Sequence, residues 1–123
     1  MVKLSFSLQE RLKGKKRIAA LFKQGSAFNV YPFQVRCQVN SSAAPSHQVL
    51  FAVPSRYFKR AVDRNKMKRR AREAYRLQKN QLGETPVLLI GFIYTASEML
   101  PYGKIHQAIG QAIQKLNKRQ LPS

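Results

Sequence analysis

The segment from Lys59 to Arg76 constrains the fold more than any other, because it is both strongly basic and regularly patterned. Nine of its eighteen residues are Lys or Arg, against two acids, Asp63 and Glu73, and it contains neither Gly nor Pro. This composition favours a helix. At about 100° per residue, one side carries Met67, Ala71, Ala74, Tyr75 and Gln78, and the opposite side carries Asn65, Lys68, Arg69, Arg72 and Arg76. The pattern predicts a helix that docks on a core and turns its cationic side to a polyanion.

The charge of the whole chain points to the same kind of partner. The 123 residues include 23 basic and five acidic side chains, a formal net charge of +18. Self-repulsion of this size opposes compaction, so we expect a polyanionic partner, with RNA or DNA as the leading candidates. A membrane is a poorer candidate, because the charge is not confined to a short amphipathic tail and no apolar run approaches the ~20 residues of a membrane span.

Length and cysteine content predict one cytoplasmic domain. A chain of 123 residues is long enough for one core, so we expect a single domain over residues 1–123, with residues 1–14 as an irregular, flexible basic arm. The N-terminus lacks the apolar stretch and cleavage site of a secretory signal. The single cysteine, Cys37, excludes an internal disulfide and fits a reducing compartment.

The remaining periodicities predict helices packed on a sheet. Helices are expected over residues 15–24, 61–79 and 101–118, the last with an apolar stripe that begins at Ile105. Alternation predicts strands over residues 33–39 and 48–53, joined as a hairpin with a long loop, and Pro32 predicts a break before the first of them. Residues 87–94 are apolar on both faces, as in a central strand. The fold class is therefore α+β.

The start of the first helix has two interpretations. Lys15, Lys16 and Arg17 stand where the helix dipole is positive, which costs a few tenths to ~1 kcal/mol. They are either a tolerated feature of the surface or part of a phosphate site, where helix amides and cations act together.

Residues typical of protein catalysis are sparse, whereas residues typical of RNA binding are not. The five acids form no recognisable metal-binding cluster, His47 and His106 are isolated, and there is no glycine-rich phosphate loop. Glu73 and Asp63 are expected to pair with neighbouring Arg or Lys. Most aromatic residues are needed in the core, but Phe22 is the best candidate for stacking on unpaired bases. It could share a groove with the polar strand face of Gln34, Arg36 and Gln38.

The sequence AVDRNKMKRRARE at residues 61–73 resembles the Arg-Asn-Arg motif of the protein subunit of bacterial ribonuclease P. The Arg11-Leu12 pair and the spacing of Ile18, Leu21, Phe22 and Gly25 are also similar to that family. The resemblance implies an α/β sandwich like domain 2 of ribosomal protein S5, in the order α-β-β-β-α-β-α, with a left-handed β-α-β crossover. The implied activity is endonucleolytic removal of the 5′ leader from precursor tRNA, by an RNA subunit that holds the active site and Mg²⁺.

The resemblance also implies which residues bind RNA. The residues expected to contact the catalytic RNA subunit are Arg64, Asn65, Lys66, Lys68, Arg69 and Arg72, joined by Arg76 on the same helix. The cleft expected to hold the single-stranded leader contains Lys15, Arg17, Ile18, Phe22 and Arg36. Three positions depart from the family pattern: Lys66 replaces the motif's second Arg, and Ile18 and Arg36 stand where aromatics are common.

Three functions are consistent with the chain at this point. The first is the ribonuclease P subunit, with the catalytic RNA and precursor tRNA as partners and neither DNA nor membrane. The second is a general RNA-binding or ribosomal-type structural protein without a processing role. The third is a free-standing enzyme, which the scarcity of clustered acids disfavours.

Overall fold

A computed structural model describes residues 11–12, 15–39, 47–83 and 87–118 of the chain. Its elements, in chain order, are α1 (Lys15–Gln24), β1 (Ser26–Val30), β2 (Phe33–Val39), β3 (Gln48–Ala52), α2 (Ala61–Gln78), a 3-10 turn (Lys79–Gln81), β4 (Leu88–Tyr94) and α3 (Tyr102–Lys118). The predicted α+β class and the order α-β-β-β-α-β-α are confirmed. The arm predicted over residues 1–14 lies outside the described residues, except for Arg11 and Leu12.

The four strands form one sheet in the order β1-β2-β4-β3. β2 is antiparallel to both β1 and β4, whereas β3 is parallel to β4. The predicted hairpin between β2 and β3 is therefore wrong, because β4 lies between them. All seven residues of β4 are buried, and only a central position in the sheet covers a strand on both faces and both edges. The helix α2 thus connects two adjacent parallel strands, and the left-handed sense of this crossover stays a prediction.

The break predicted at Pro32 is a tight turn between β1 and β2. Val30 pairs with Phe33 across it, and the Tyr31–Pro32 peptide bond is cis. The turn is tied to the segment after β4, because the Thr95 amide and hydroxyl donate to the Pro32 carbonyl at 2.8 Å and 3.0 Å. The break therefore separates β1 from β2, the strand predicted over residues 33–39.

One face of the sheet carries α2 and α3 over the main hydrophobic core. The buried residues of α2 are the five predicted ones, Met67, Ala71, Ala74, Tyr75 and Gln78. The apolar stripe of α3 is also buried, from Ile105 to Leu116. They pack against the apolar side of the strands, which includes Val35, Cys37 and Phe92. Cys37 is buried in this core as a small side chain.

The opposite face of the sheet carries α1 over a smaller cluster. Leu12 and Leu21 pack with Leu89 of β4, and Ile18 is partly buried against them. The helix comes close to the sheet at Gly91, where an added Cβ would lie only 3.3 Å from Leu21 Cδ2. The molecule is thus a three-layer sandwich, with α1 on one side of the sheet and α2 and α3 on the other.

This close approach predicts that Gly91→Val destabilises the protein. The added side chain must displace Leu21, and overpacking of this kind costs about 1–3 kcal/mol. The control is Gly103→Ala in α3, where no described atom lies within 4 Å of the added Cβ and a helix gains about 0.5–1 kcal/mol from the change. Urea denaturation measures both variants. Equal stability of the two variants would contradict the tight docking of α1.

Candidate nucleic-acid interface

The cationic side of α2 projects away from the core because its opposite side is buried. Asn65, Lys66 and Arg69 are exposed, whereas Lys68 and Arg72 are half-buried. Within the described part of the chain, these five side chains form no hydrogen bond or ion pair. A helix that presents several uncompensated cations on one side is suited to a row of phosphates.

Arg64 differs from the other cations of the motif, because it braces the chain that enters α2. Its Nη1 donates to the carbonyls of Phe58 at 2.8 Å and Lys59 at 2.7 Å. The residue that precedes the helix, Arg60, provides no side-chain cap, so Arg64 fixes the start of α2 from within. Contact between Arg64 and the RNA subunit stays a prediction, and the structure adds a structural role.

Arg76 is held by an ion pair with Glu73. Its Nε donates to Glu73 Oε2 at 2.9 Å. This hydrogen bond lowers the pKa of Glu73 and raises the pKa of Arg76. The expectation that Glu73 pairs with a neighbouring Arg is confirmed, whereas Asp63 forms no ion pair with any residue that the structure describes. Since Glu73 partly neutralises its charge, we expect Arg76 to contribute less to RNA binding than the other predicted residues of α2.

A concavity of about 210 Å³ lies between the cationic side of α2 and the edge of β3. Arg11 extends that edge through a parallel bridge to Val49, and the Leu12 amide donates to the Val49 carbonyl at 3.0 Å. Burial and the nearby charges of Arg11 and Arg69 lower the pKa of Arg72. The Arg72 Nε is buried without a hydrogen-bond partner among the described residues. A bound phosphate would reduce the electrostatic repulsion among these cations.

Arg11 was missed by the charge pattern because it lies far from α2 in sequence. In the sequence, the Arg11-Leu12 pair is distinguished only by its similarity to the family pattern. The sequence feature that could have indicated its role is its position shortly before the cationic start of α1. Parallel pairing with β3 brings Arg11 to the side of Lys68 and Arg72, with which it lines the concavity.

The predicted cleft brings Phe22 and Arg36 together. The Arg36 guanidinium lies 5.3 Å from the centroid of the Phe22 ring, and its Nη1 donates to the Phe22 carbonyl at 2.8 Å. This hydrogen bond also satisfies one of the free carbonyls in the last turn of α1. Phe22 remains 38% exposed as a residue. The two residues thus form one partly exposed surface of an aromatic ring and a guanidinium plane.

Of the other predicted cleft residues, the structure describes the side chain of Ile18 but not those of Lys15 and Arg17. Ile18 is half-buried against Leu12, Leu21 and Leu89, so it supports α1 as well as bordering the cleft. Lys15 and Arg17 belong to the first turn of α1, but their side chains lie outside what the structure describes. Their predicted contact with the leader stays a prediction.

The histidines have structural contacts. His47 Nδ1 accepts from the Leu88 amide at 2.9 Å, and its Nε2 donates to the Gly83 carbonyl at 2.7 Å. His106 contacts Tyr102, whose hydroxyl lies 3.2 Å from its Nδ1. In the part of the chain that the structure describes, no group of three or more His, Cys, Asp or Glu side chains could hold a metal. No helix in that part is long and apolar enough to cross a membrane.

Comparison with known proteins decides the family. The sequence profile of the family described as Ribonuclease P matches residues 6–117 of this chain. The chain belongs to the ribonuclease P protein family. The ribonuclease P protein component of Porphyromonas gingivalis is 32% identical over 113 residues, which are 87% of this chain and 82% of that protein. The component from Chlorobaculum tepidum is 39% identical over 77 residues, 59% of this chain and 50% of that protein.

Solved structures agree on the fold. The ribonuclease P protein of Staphylococcus aureus superposes with a TM-score of 0.73 at 21% identity, over 89% of this chain and 95% of that one. The protein from Thermotoga maritima gives a TM-score of 0.72 at 22% identity, over 90% and 98% of the two chains. As a ribonuclease P protein component, the chain is an RNA-binding part of a ribonucleoprotein in tRNA processing.

Arg64 is hydrogen-bonded and Arg69 is exposed, so removing the two side chains should affect stability differently. Arg64→Ala should lower the free energy of unfolding by about 1–2 kcal/mol, because two charge-assisted hydrogen bonds are lost. Arg69→Ala should change it by less than about 0.5 kcal/mol, as expected for an exposed side chain. Urea denaturation of the two variants without RNA measures the difference. A destabilisation by Arg69→Ala as large as that by Arg64→Ala would contradict the assignment.

Proposed function

We propose that this protein binds the catalytic RNA subunit of ribonuclease P through α2, and holds the single-stranded 5′ leader of precursor tRNA in the cleft between α1 and the sheet. In the assembled enzyme the RNA subunit removes the leader by endonucleolytic cleavage. We further propose that the complex acts in the cytoplasm and on RNA rather than DNA.

The observation that carries this proposal is the division of α2 into a buried apolar side and an uncompensated cationic side. The five buried residues prevent the helix from rotating. Lys68, Arg69 and Arg72 therefore lie in a fixed row on the side of α2 that faces away from the core. Lys66 keeps the charge of the motif's second Arg, although an ammonium lacks the two parallel hydrogen bonds that a guanidinium can make to phosphate.

The cleft supports binding of an unpaired strand. Phe22 is partly exposed, and an exposed aromatic side chain can stack on a base of any sequence. Arg36 lies over that ring, and Gln34 and Gln38 share its side of β2, where all three are half-buried. Polar side chains beside one aromatic face suit a single strand whose bases are not occupied in pairing.

We assign the chemistry and its Mg²⁺ to the RNA subunit. Mg²⁺ prefers hard oxygen ligands, which RNA phosphates supply in abundance. The contribution of the protein is electrostatic and geometric. Its cations offset repulsion between the phosphates of enzyme and substrate, so that less Mg²⁺ is needed for the two RNAs to associate.

A reconstitution at low Mg²⁺ tests the proposal. The cognate RNA subunit is assayed for leader removal from precursor tRNA with and without this protein, and the protein is assayed alone. We expect cleavage only when the RNA subunit is present, and a large gain when the protein is added. No gain would leave a general RNA-binding role. Cleavage by the protein alone would place the active site on the protein.

Phe22→Ala tests the cleft. Loss of one stacked base should weaken binding of precursor tRNA to the assembled enzyme roughly tenfold, since each stack is worth about 1–3 kcal/mol. Binding of mature tRNA, which lacks the leader, should change little. Phe22→Tyr is the control, because it keeps the ring. Equal losses for precursor and mature tRNA, together with a lower melting temperature, would instead make Phe22 a core residue.

A further inference from the structure

Tyr31 is an exposed aromatic residue on a fixed backbone. Its relative exposure is 66%, against 38% for Phe22. It lies in the turn between β1 and β2, next to the buried Pro32, whose carbonyl accepts two hydrogen bonds from Thr95. A ring presented on an anchored turn has little conformational entropy to lose when it binds a partner.

Tyr31 borders a groove of about 300 Å³. The groove is lined by Tyr31, Pro32 and Leu100, and by Lys104, Gln107, Ala108 and Gln111 of α3. Its volume is at the lower end of the ~300–1,000 Å³ typical of ligand pockets. The groove is outside the predicted cleft, because α3 and α1 pack on opposite faces of the sheet.

The charges around the groove favour an anion. Lys104 stands in the first turn of α3, and that turn contains no acidic residue. The positive end of the helix dipole therefore adds to the Lys104 charge. Arg70 of α2 donates from Nη1 to the Leu100 carbonyl at 2.7 Å, which brings a second cation close to the groove.

The polar lining favours a nucleobase beside that anion. Gln107 and Gln111 are one helical turn apart and both exposed, so their amides lie on the same side of α3. Each amide offers both donors and an acceptor, which can pair with the edge of a base. The aromatic ring can stack on the face of a base, the amides can pair with its edge, and the lysine can bind the phosphate of the same unpaired nucleotide.

We propose that this groove binds one unpaired nucleotide of RNA, with its base stacked on Tyr31 and its phosphate at Lys104. The site is a third RNA contact, separate from the cationic side of α2 and from the cleft. It does not depend on the assignment of the leader to the cleft. The nucleotide belongs either to the RNA subunit or to precursor tRNA, which supply the same chemistry.

The test compares Tyr31→Ala, Tyr31→Leu and Tyr31→Phe in two binding measurements. One measures affinity for the cognate RNA subunit, and the other measures affinity of the assembled enzyme for precursor tRNA. Tyr31→Ala and Tyr31→Leu should each weaken one of these affinities roughly tenfold, whereas Tyr31→Phe should stay near the wild type. The measurement that changes identifies which RNA supplies the nucleotide. Lys104→Gln should reduce the salt dependence of the same binding step by roughly one unit.

If Tyr31→Leu binds both RNAs with wild-type affinity, the proposal is overturned. This is also the result expected if the groove binds a protein instead of RNA. Tyr31→Leu keeps apolar bulk without the ring, so it remains decisive if Tyr31→Ala affects folding. Wild-type protein in the low-Mg²⁺ cleavage assay separates this proposal from the proposed function. A weakened Tyr31 variant combined with no gain from the wild type would reject the processing role and keep the nucleotide site.

Discussion

Packing of Tyr75 against the sheet is the interaction on which the rest of the structure depends. Its ring centroid lies 6.0 Å from that of Phe51 on β3 and 6.1 Å from that of Phe92 on β4. Phe51 and Phe92 are themselves stacked, 5.5 Å apart. This three-ring contact ties α2 to both strands that it connects. Because the contact fixes the rotation of α2, the side that carries Lys68, Arg69 and Arg72 must face away from the core.

Packing of α1 on the other face of the sheet forms a second, smaller surface at Phe22 and Arg36. Leu21 fits over Gly91, which brings α1 close to the sheet and places the end of that helix beside β2. Arg36 then reaches both the carbonyl and the ring of Phe22. In the function proposed above, the α2 side supplies charge for the RNA subunit, whereas this small surface supplies a stacking face for the unpaired leader.

Local periodicity predicted the parts of the fold that depend on neighbours in sequence. The buried side of α2 followed from spacing at 3.6 residues per turn, since one helix decides it alone. The prediction of a β2–β3 hairpin was wrong because strands that are distant in sequence can pair in preference to neighbouring ones. Here the apolar strand β4 pairs with both β2 and β3 and lies between them. The contact of Phe22 with Arg36 was expected only as a shared groove. The angle of Arg64 on α2 places it near the apolar side, which already allowed a brace on the preceding loop. The approach of Arg11 to Arg72 depends on tertiary packing, which periodicity along the sequence does not describe.

We propose that the position of charge on α2, rather than the total charge of the chain, determines RNA binding. The most direct test compares Arg69→Ala with Lys118→Ala, an exposed lysine in the last turn of α3. Both changes remove one positive charge. The slope of log K against log[salt] for binding the RNA subunit should fall by roughly one unit for Arg69→Ala and stay unchanged for Lys118→Ala. Equal slopes for the two variants would contradict the account.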